Sequence, residues 1–263
     1  MNEETVLILR TCNADMTSCG GFRWPESGPV VAPDWAPTMK CGNGLHGLLW
    51  GEGSVQFMNL ADDAKWLVFR AAVADLKHGE GDLTDKCKAR AGYVEYCGTR
   101  DGAITYLLAN GAKGKRVVFG TSTSGYHGTS TSGNGGTSTS GYRGTSTSGD
   151  DGTSTSGDHG TSTSGDHGTS TSGDGGTSTS GNGGTSTSGN RGTSTSGYRG
   201  TSTSGNGGTI CILRWNGKRY KPVIATVKDE DGDGQLEPNT PYRLDDTGRF
   251  VAVPKDPQAE VKP

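Results

Sequence analysis

Residues 136–160 read GTSTSGYRGTSTSGDDGTSTSGDHG, three passes through one eight-residue phrase. From Thr121 to Gly208 the phrase T-S-T-S-G-x-x-G runs without interruption through eleven copies. Ser, Thr and Gly bury little apolar surface, and such composition commonly leaves a chain unfolded. Three features argue for order instead. The phase never slips, whereas an entropic tether has no need of fixed phase. Variation is confined to the two x sites, filled by pairs such as Tyr-His, Asn-Gly, Asp-Asp and Asp-His that tolerate turns. The segments on either side are strand-like, as the ends of a β-stack should be. Four residues make a short strand and four a turn, so two octads close one flattened coil of sixteen residues. The expected fold class is therefore mainly β, a parallel β-solenoid with coils about 4.8 Å apart.

Strand alternation places Thr121 and Thr123 on one side and Ser122 and Ser124 on the other. Hydrophobicity alone favours Thr inside, where its methyls are buried. A very thin interior favours Ser inside, where small side chains let two strands approach and hydroxyls satisfy one another. Residue types leave this choice open.

The stretch YRGTSTSGDDGTSTSG, residues 142–157, resembles the sixteen-residue repeat of bacterial ice nucleation proteins. In that family strands carrying Thr-x-Thr alternate with Gly-rich turns, often with Tyr after the Gly. The resemblance implies that Thr145 and Thr147 point outward and Ser146 and Ser148 inward. It covers residues 121–208 alone, and it departs from the family in three respects. No sixteen-residue alternation exists, so both broad faces carry Thr-x-Thr. The array is far shorter than a nucleator's. Tyr occupies only three turn sites, Tyr126, Tyr142 and Tyr198, so the family's continuous Tyr ladder is missing.

Ice binding by ordered water is the function this resemblance implies. One face would comprise Thr121, Thr123, Thr137, Thr139, Thr153, Thr155, Thr169, Thr171, Thr185, Thr187, Thr201 and Thr203. The other would comprise Thr129, Thr131, Thr145, Thr147, Thr161, Thr163, Thr177, Thr179, Thr193 and Thr195. An array this short is expected to inhibit ice growth rather than nucleate it. The competing reading is a structural or interaction rod in which Thr is merely a good strand former.

The flanks are organised differently. Residues 1–120 have globular composition and are expected to form a small α+β cap. TVLILRT, KWLVFRAAV and YVEYCG read as strands, and DGAITYLLANG as a short helix stopped by Asn110-Gly111. GKRVVFG reads as a strand feeding the repeats. Residues 209–253 form a C-terminal β cap with a hairpin about Asn216-Gly217, and residues 254–263 a mobile tail. LILRTCNADMTSCGGFRWPESGP, CGNGLHGLLWGEG and EPNTPYRLDDTGRFVAV resemble an uncharacterised group of phage and bacterial proteins with similar octads. That resemblance implies a phage- or mobile-element-associated rod as the alternative function.

The sites for chemistry are few. His46 lies between glycines with Cys41 and Glu52 nearby, and Glu95 is the matching carboxylate. An enzyme would need His46 and Glu95 to converge in one pocket; a buried, hydrogen-bonded structural His is the expectation. Six Cys match no zinc spacing and, with no secretion signal, are expected to be reduced. Cys12 and Cys97 read as core thiols. The run DEDGDGQLE places Asp229, Asp231, Asp233 and Gly234 at the first, third, fifth and sixth places of a calcium loop, but Thr240 stands at the twelfth. No metal or cofactor is expected, and the chain is read as non-enzymatic.

Net charge is −3 and the pI about 6.0, so no basic field points to nucleic acid or an anionic membrane. The apolar run at the start, Val6 to Leu9, is too short for a signal-peptide core. A cytoplasmic location is therefore expected, with virion association or release by lysis as the other route. The expected partner is ice or ordered water, or an unidentified protein. The flat Thr sheets also suit homodimer or higher-oligomer contact.

Overall fold

The computed structural model describes residues 4–18 and 20–254. Beyond Pro254 the expected tail lies outside the described residues. Two compact units meet in sequence between Gly120 and Thr121.

The first unit is built on one antiparallel sheet. Its strands are β1 (Thr5–Cys12), β2 (Gly28–Val31), β3 (Leu45–Leu49), β4 (Lys65–Ala72), β5 (Leu76–His78), β6 (Cys87–Ala89) and β7 (Ala91–Gly98). Their order across the sheet is β2-β7-β4-β1-β3-β6-β5. The apolar run in β1 is continuous because the strand is central and buried on both sides. Val6 and Ile8 face one core with Phe69, Trp24 and Val94. Leu7 and Leu9 face a second core with Trp66, Val68 and the helix residues Ile104 and Leu107. That helix, α1 (Arg100–Leu107), starts at Thr99, whose hydroxyl accepts the Gly102 N–H at 3.3 Å. It runs into a π-turn at Leu108–Ala112, where Gly111 turns the chain at φ 115°.

GKRVVFG is not a strand. Val117 and Val118 are buried, but Phe119 adopts φ 55° and the Gly120 N–H closes a turn onto the Val117 carbonyl. The apolar run fills the second core from a turn, and Phe119 packs edge-on against Trp66 at 5.8 Å. Core demand and strand demand write the same residues here.

The second unit is a parallel β-solenoid. Eleven strands, β8 (Thr121–Thr123) through β18 (Thr201–Ser204), alternate between two sheets. Odd octads stack on odd and even on even, sixteen residues per turn and in register: Thr137 pairs with Thr153, Ser138 with Ser154, Thr139 with Thr155. The four-residue turns close with an N–H from the last Gly to the carbonyl of the first, 3.0 Å for Gly160 to Gly157. The third turn residue has positive φ, as a type II turn requires. Gly occupies that site in some octads, yet His127, Arg143, Asp151, His159, His167, Arg191 and Arg199 hold it at φ 53–60°. Each such residue costs on the order of 1 kcal/mol. The stack offsets this, since the same residue's N–H reaches the turn above: His159 to the Asp174 carbonyl is 2.8 Å.

The closing Gly is needed for space rather than for φ. A Cβ on Gly160 would lie 2.8 Å from Ser156 Cβ and 2.9 Å from the Gly144 carbonyl oxygen of the coil below. Side chains of any size are excluded where each turn rests on the previous one.

The stack continues one strand past the last octad. In β19 (Thr209–Trp215) Thr209 pairs with Thr193 in parallel, and Ile210 and Ile212 take the register positions of Ser194 and Ser196. These two Ile are buried with Ala225, Val227, Leu236 and Tyr242 in an apolar plug. β20 (Tyr220–Thr226) then pairs antiparallel with β19, the two joined about Asn216-Gly217 as a hairpin. On the other sheet β21 (Tyr242–Leu244) and β22 (Phe250–Ala252) follow β18, also antiparallel. No helix among the described residues is long and apolar enough to cross a membrane.

Candidate functional site

Strand alternation gives the solenoid two chemically distinct surfaces, and the side chains settle which is which. The Ser residues are inside: Ser138, Ser154, Ser170 and Ser186 are all fully buried. The Thr residues are outside on both sheets; from Thr129 to Thr187 the first Thr of each octad is exposed and the second half-buried, while Thr121 and Thr123 are both exposed and Thr193, Thr195, Thr201 and Thr203 all half-buried. The inward side chains abut the turns: a Cβ on the closing Gly160 would meet Ser156 Cβ at 2.8 Å, a crowding that a β-branched residue in place of Ser would increase. Burial of methyls, which favours Thr inside, loses to this lack of space.

The outward Thr form ranks. Because pairing is parallel and in register, identical side chains stack every coil at about 4.8 Å, and the two Thr of one strand stand about 7 Å apart. One sheet carries the ranks beginning at Thr121 and Thr123, the other those beginning at Thr129 and Thr131. Among the described residues none of these Thr hydroxyls has a hydrogen-bond partner, so their donors and acceptors are left for water. The second sheet gains a row that the octad pattern does not show. Thr209 extends the first rank and Cys211 the second. The signal was present in GGTICI, which keeps the octad phase after the Ser have become Ile.

The interior is held by hydroxyls and backbone. Ser178, Ser186 and Ser194 each donate across the thin core to the carbonyl eight residues earlier, at 2.7, 2.9 and 2.8 Å. Earlier members of the same column, including Ser146, Ser154 and Ser162, are buried without a partner among the described residues. On the two edges, side-chain carbonyls and carboxylates at the first variable site cap the next turn. Asp166 N–H bonds Asp150 Oδ1 at 2.9 Å and Asn182 N–H bonds Asp166 Oδ1 at 2.7 Å. Asp158, Asp174, Asn190 and Asn206 repeat the pattern on the opposite edge. Tyr126 and Tyr142 stack at 5.4 Å and 10°, a Tyr ladder two rungs long.

The other sequence-derived sites separate. His46, on β3, lines a cavity of about 490 Å³ in the first unit, together with Cys41. Glu95, on β7, is not part of that lining. It accepts Arg70 Nε at 2.6 Å and the Tyr106 hydroxyl at 2.9 Å. Burial pushes its carboxyl up, but the Arg70 and Tyr106 hydrogen bonds together bring it below the usual carboxylate range. His46 and Glu95 are therefore not one constellation. His46 Nε2 accepts the Gly42 N–H at 3.3 Å and Nδ1 lies 3.1 Å from the Gly44 carbonyl, which fixes the neutral ring as a loop clasp. Burial, with Lys86, Arg10 and Lys88 around it, lowers its pKa to about 4. Glu52 instead accepts the Arg116 N–H.

Burial raises the Cys12, Cys97 and Cys211 thiols and pushes Cys87 up to about 12, so none is a ready nucleophile. Asp229 Oδ1 is occupied by the N–H groups of Asp231 and Asp233, as in an ordinary acidic turn. No group of three or more His, Cys, Asp or Glu suited to a metal occurs among the described residues.

Comparison with known proteins divides along the same line. Residues 6–99 match a family model described as a domain of unknown function, DUF7666. The repeat region is similar to bacterial ice nucleation proteins. One from Pseudomonas fluorescens is 40% identical over 113 residues, 43% of this chain and 9% of that protein. One from Pseudomonas syringae pv. syringae is 45% identical over 76 residues, 29% of this chain and 6% of that protein. The protein InaU of Pantoea ananas is 38% identical over 112 residues, 41% of this chain and 10% of that protein. The chain thus spans about a tenth or less of the length of these relatives. No solved structure matches.

Proposed function

We propose that the solenoid is an ice-binding array that adsorbs to ice through its Thr ranks and inhibits crystal growth. The observation that carries this reading is the in-register, outward placement of Thr whose hydroxyls have no hydrogen-bond partner among the described residues. A rigid grid of methyls and hydroxyls restrains the water above it, and the parallel ladders keep the grid from deforming. Likeness of the repeats to ice nucleation proteins supports the same use of Thr-x-Thr. Growth inhibition rather than nucleation follows from size: the coils number about six, and the Ile plug and antiparallel strands end the stack. A template of that extent is too small to hold a large ice embryo. Binding of this kind uses positioned surface, not catalysis.

The test is ice-crystal morphology and thermal hysteresis with the purified chain. Faceted crystals and a measurable gap between melting and growth are expected. Rounded, freely growing crystals at every protein concentration would overturn the reading.

A further inference from the structure

The cavity beside His46 is unrelated to the Thr ranks and has the make-up of a ligand site. Its volume, about 490 Å³, falls in the range of small-molecule pockets. Aromatic and charged groups share its wall in pairs. Arg10 lies over the Trp24 ring at 4.4 Å and Lys86 over the Phe57 ring at 4.2 Å. Phe22 meets Trp24 edge-on at 5.7 Å. Asp34 is the one carboxylate among the described lining residues, against the two cations Arg10 and Lys86.

Three further observations point the same way. The neighbouring Lys88 is fully buried and directs its ammonium at the Lys40 and Gly42 carbonyls, both 2.9 Å away, adding a third fixed positive charge beside the cavity. After burial, what lowers the His46 pKa is Lys86, Arg10 and Lys88, so the imidazole registers a positive local potential. Trp24 also has a buried indole N–H without an acceptor among the described residues, a group that a bound acceptor would satisfy.

We propose that this cavity binds a small molecule that joins a flat ring to an anionic group. The ring packs on the aromatic wall of Phe22, Trp24 and Phe57, and the anion is held by Lys86 and Arg10. Rings stack favourably on aromatic faces, and a guanidinium and an ammonium in a partly desolvated cavity hold phosphate or carboxylate strongly.

Titration calorimetry of the full chain tests this with two matched pairs: AMP against adenosine, and indole-3-acetate against indole-3-acetamide. In at least one pair the anion is expected to bind about tenfold or more tightly than its neutral partner, a difference of about 1.4 kcal/mol. The pair that responds identifies phosphate or carboxylate as the anion. Lys86→Gln, folded by circular dichroism, is expected to erase that preference. The exposed Cys41 thiol, 3.0 Å from Lys86 Nζ, gives a second readout. Its alkylation by iodoacetamide, followed by peptide mass spectrometry, should slow when the bound anion is present. Equal binding of anion and neutral partner in both pairs would overturn the proposal, as would a preference that survives Lys86→Gln. Unprotected Cys41 at saturation would place the ligand elsewhere and likewise refute it. Ice assays on Lys86→Gln report separately, since Lys86 is no part of the Thr ranks.

Discussion

The two units solve the same problem, burying a β-sheet, with opposite chemistry. In the first, Leu7, Ile8, Leu9, Val68 and Phe69 are fully buried and the sheet is sandwiched between apolar layers. In the second, apart from the Ile plug, what is buried is Ser hydroxymethyl and Gly. The first unit draws stability from area removed from water, about 25 cal/mol per Å². The second has little such area and depends on uninterrupted backbone ladders, on Ser hydroxyls and on the close approach of turns. An apolar core tolerates loss of a contact more readily than of volume, whereas a Ser/Gly core tolerates loss of volume and no gain.

This contrast can be broken most severely by exchanging the two insults. Phe69→Ala removes a ring from the first core and should cost about 3–5 kcal/mol in urea unfolding of that unit. Gly160→Ala adds one methyl, yet its Cβ would crowd Ser156 and the Gly144 carbonyl. A cost of about 1–3 kcal/mol in the solenoid transition is expected, although Ala is the smallest chiral residue. A neutral Gly160→Ala would show that the turns have slack.

The next effect concerns pH and is confined to the first unit. His46 has its folded pKa lowered to about 4, against an unfolded value near 6.5. Below 6.5 the unfolded chain therefore binds the extra proton. Stability from neutral His46 is complete above pH 6.5 and is lost as pH falls toward 4. Allowing for its partial exposure, the loss is on the order of 1–2 kcal/mol, and His46→Gln should flatten the slope in that window. The Ser/Gly interior has no titrating group, so the solenoid transition should not show this slope.

The smallest effect lies inside the solenoid. Ser186 donates to the Ser178 carbonyl, and Ser154 in the same column has no partner among the described residues. Ser186→Ala should cost about 1 kcal/mol and Ser154→Ala less than about 0.5 kcal/mol by thermal unfolding. Equal costs would mean that the whole hydroxyl column is bonded alike.

Much of this architecture was legible from residues. Invariant phase and turn-tolerant x sites gave the sixteen-residue coil, and the apolar runs about Leu7 and Phe69 gave central strands. The direction of Thr was not, because hydrophobicity prefers the wrong side, and the deciding fact is the space beside Gly160. Resemblance to ice nucleation repeats supplied that direction. Val117–Phe119 misled because a buried turn and a buried strand select the same residues. Separation of His46 from Glu95 depends on strand order, which sets β4 and β1 between β7 and β3, and the cavity wall joins residues from Arg10 to Lys86. Neither spacing has a local signature.

The most direct test of the central claim is thermal hysteresis of face-specific variants that keep their circular dichroism. Thr137→Tyr with Thr153→Tyr disrupts one sheet, Thr145→Tyr with Thr161→Tyr the other, and a fourfold variant both. The account predicts partial activity in each single-face variant and near loss in the fourfold one. Full activity in the fourfold variant would contradict it, and would move the function of the solenoid away from its Thr ranks.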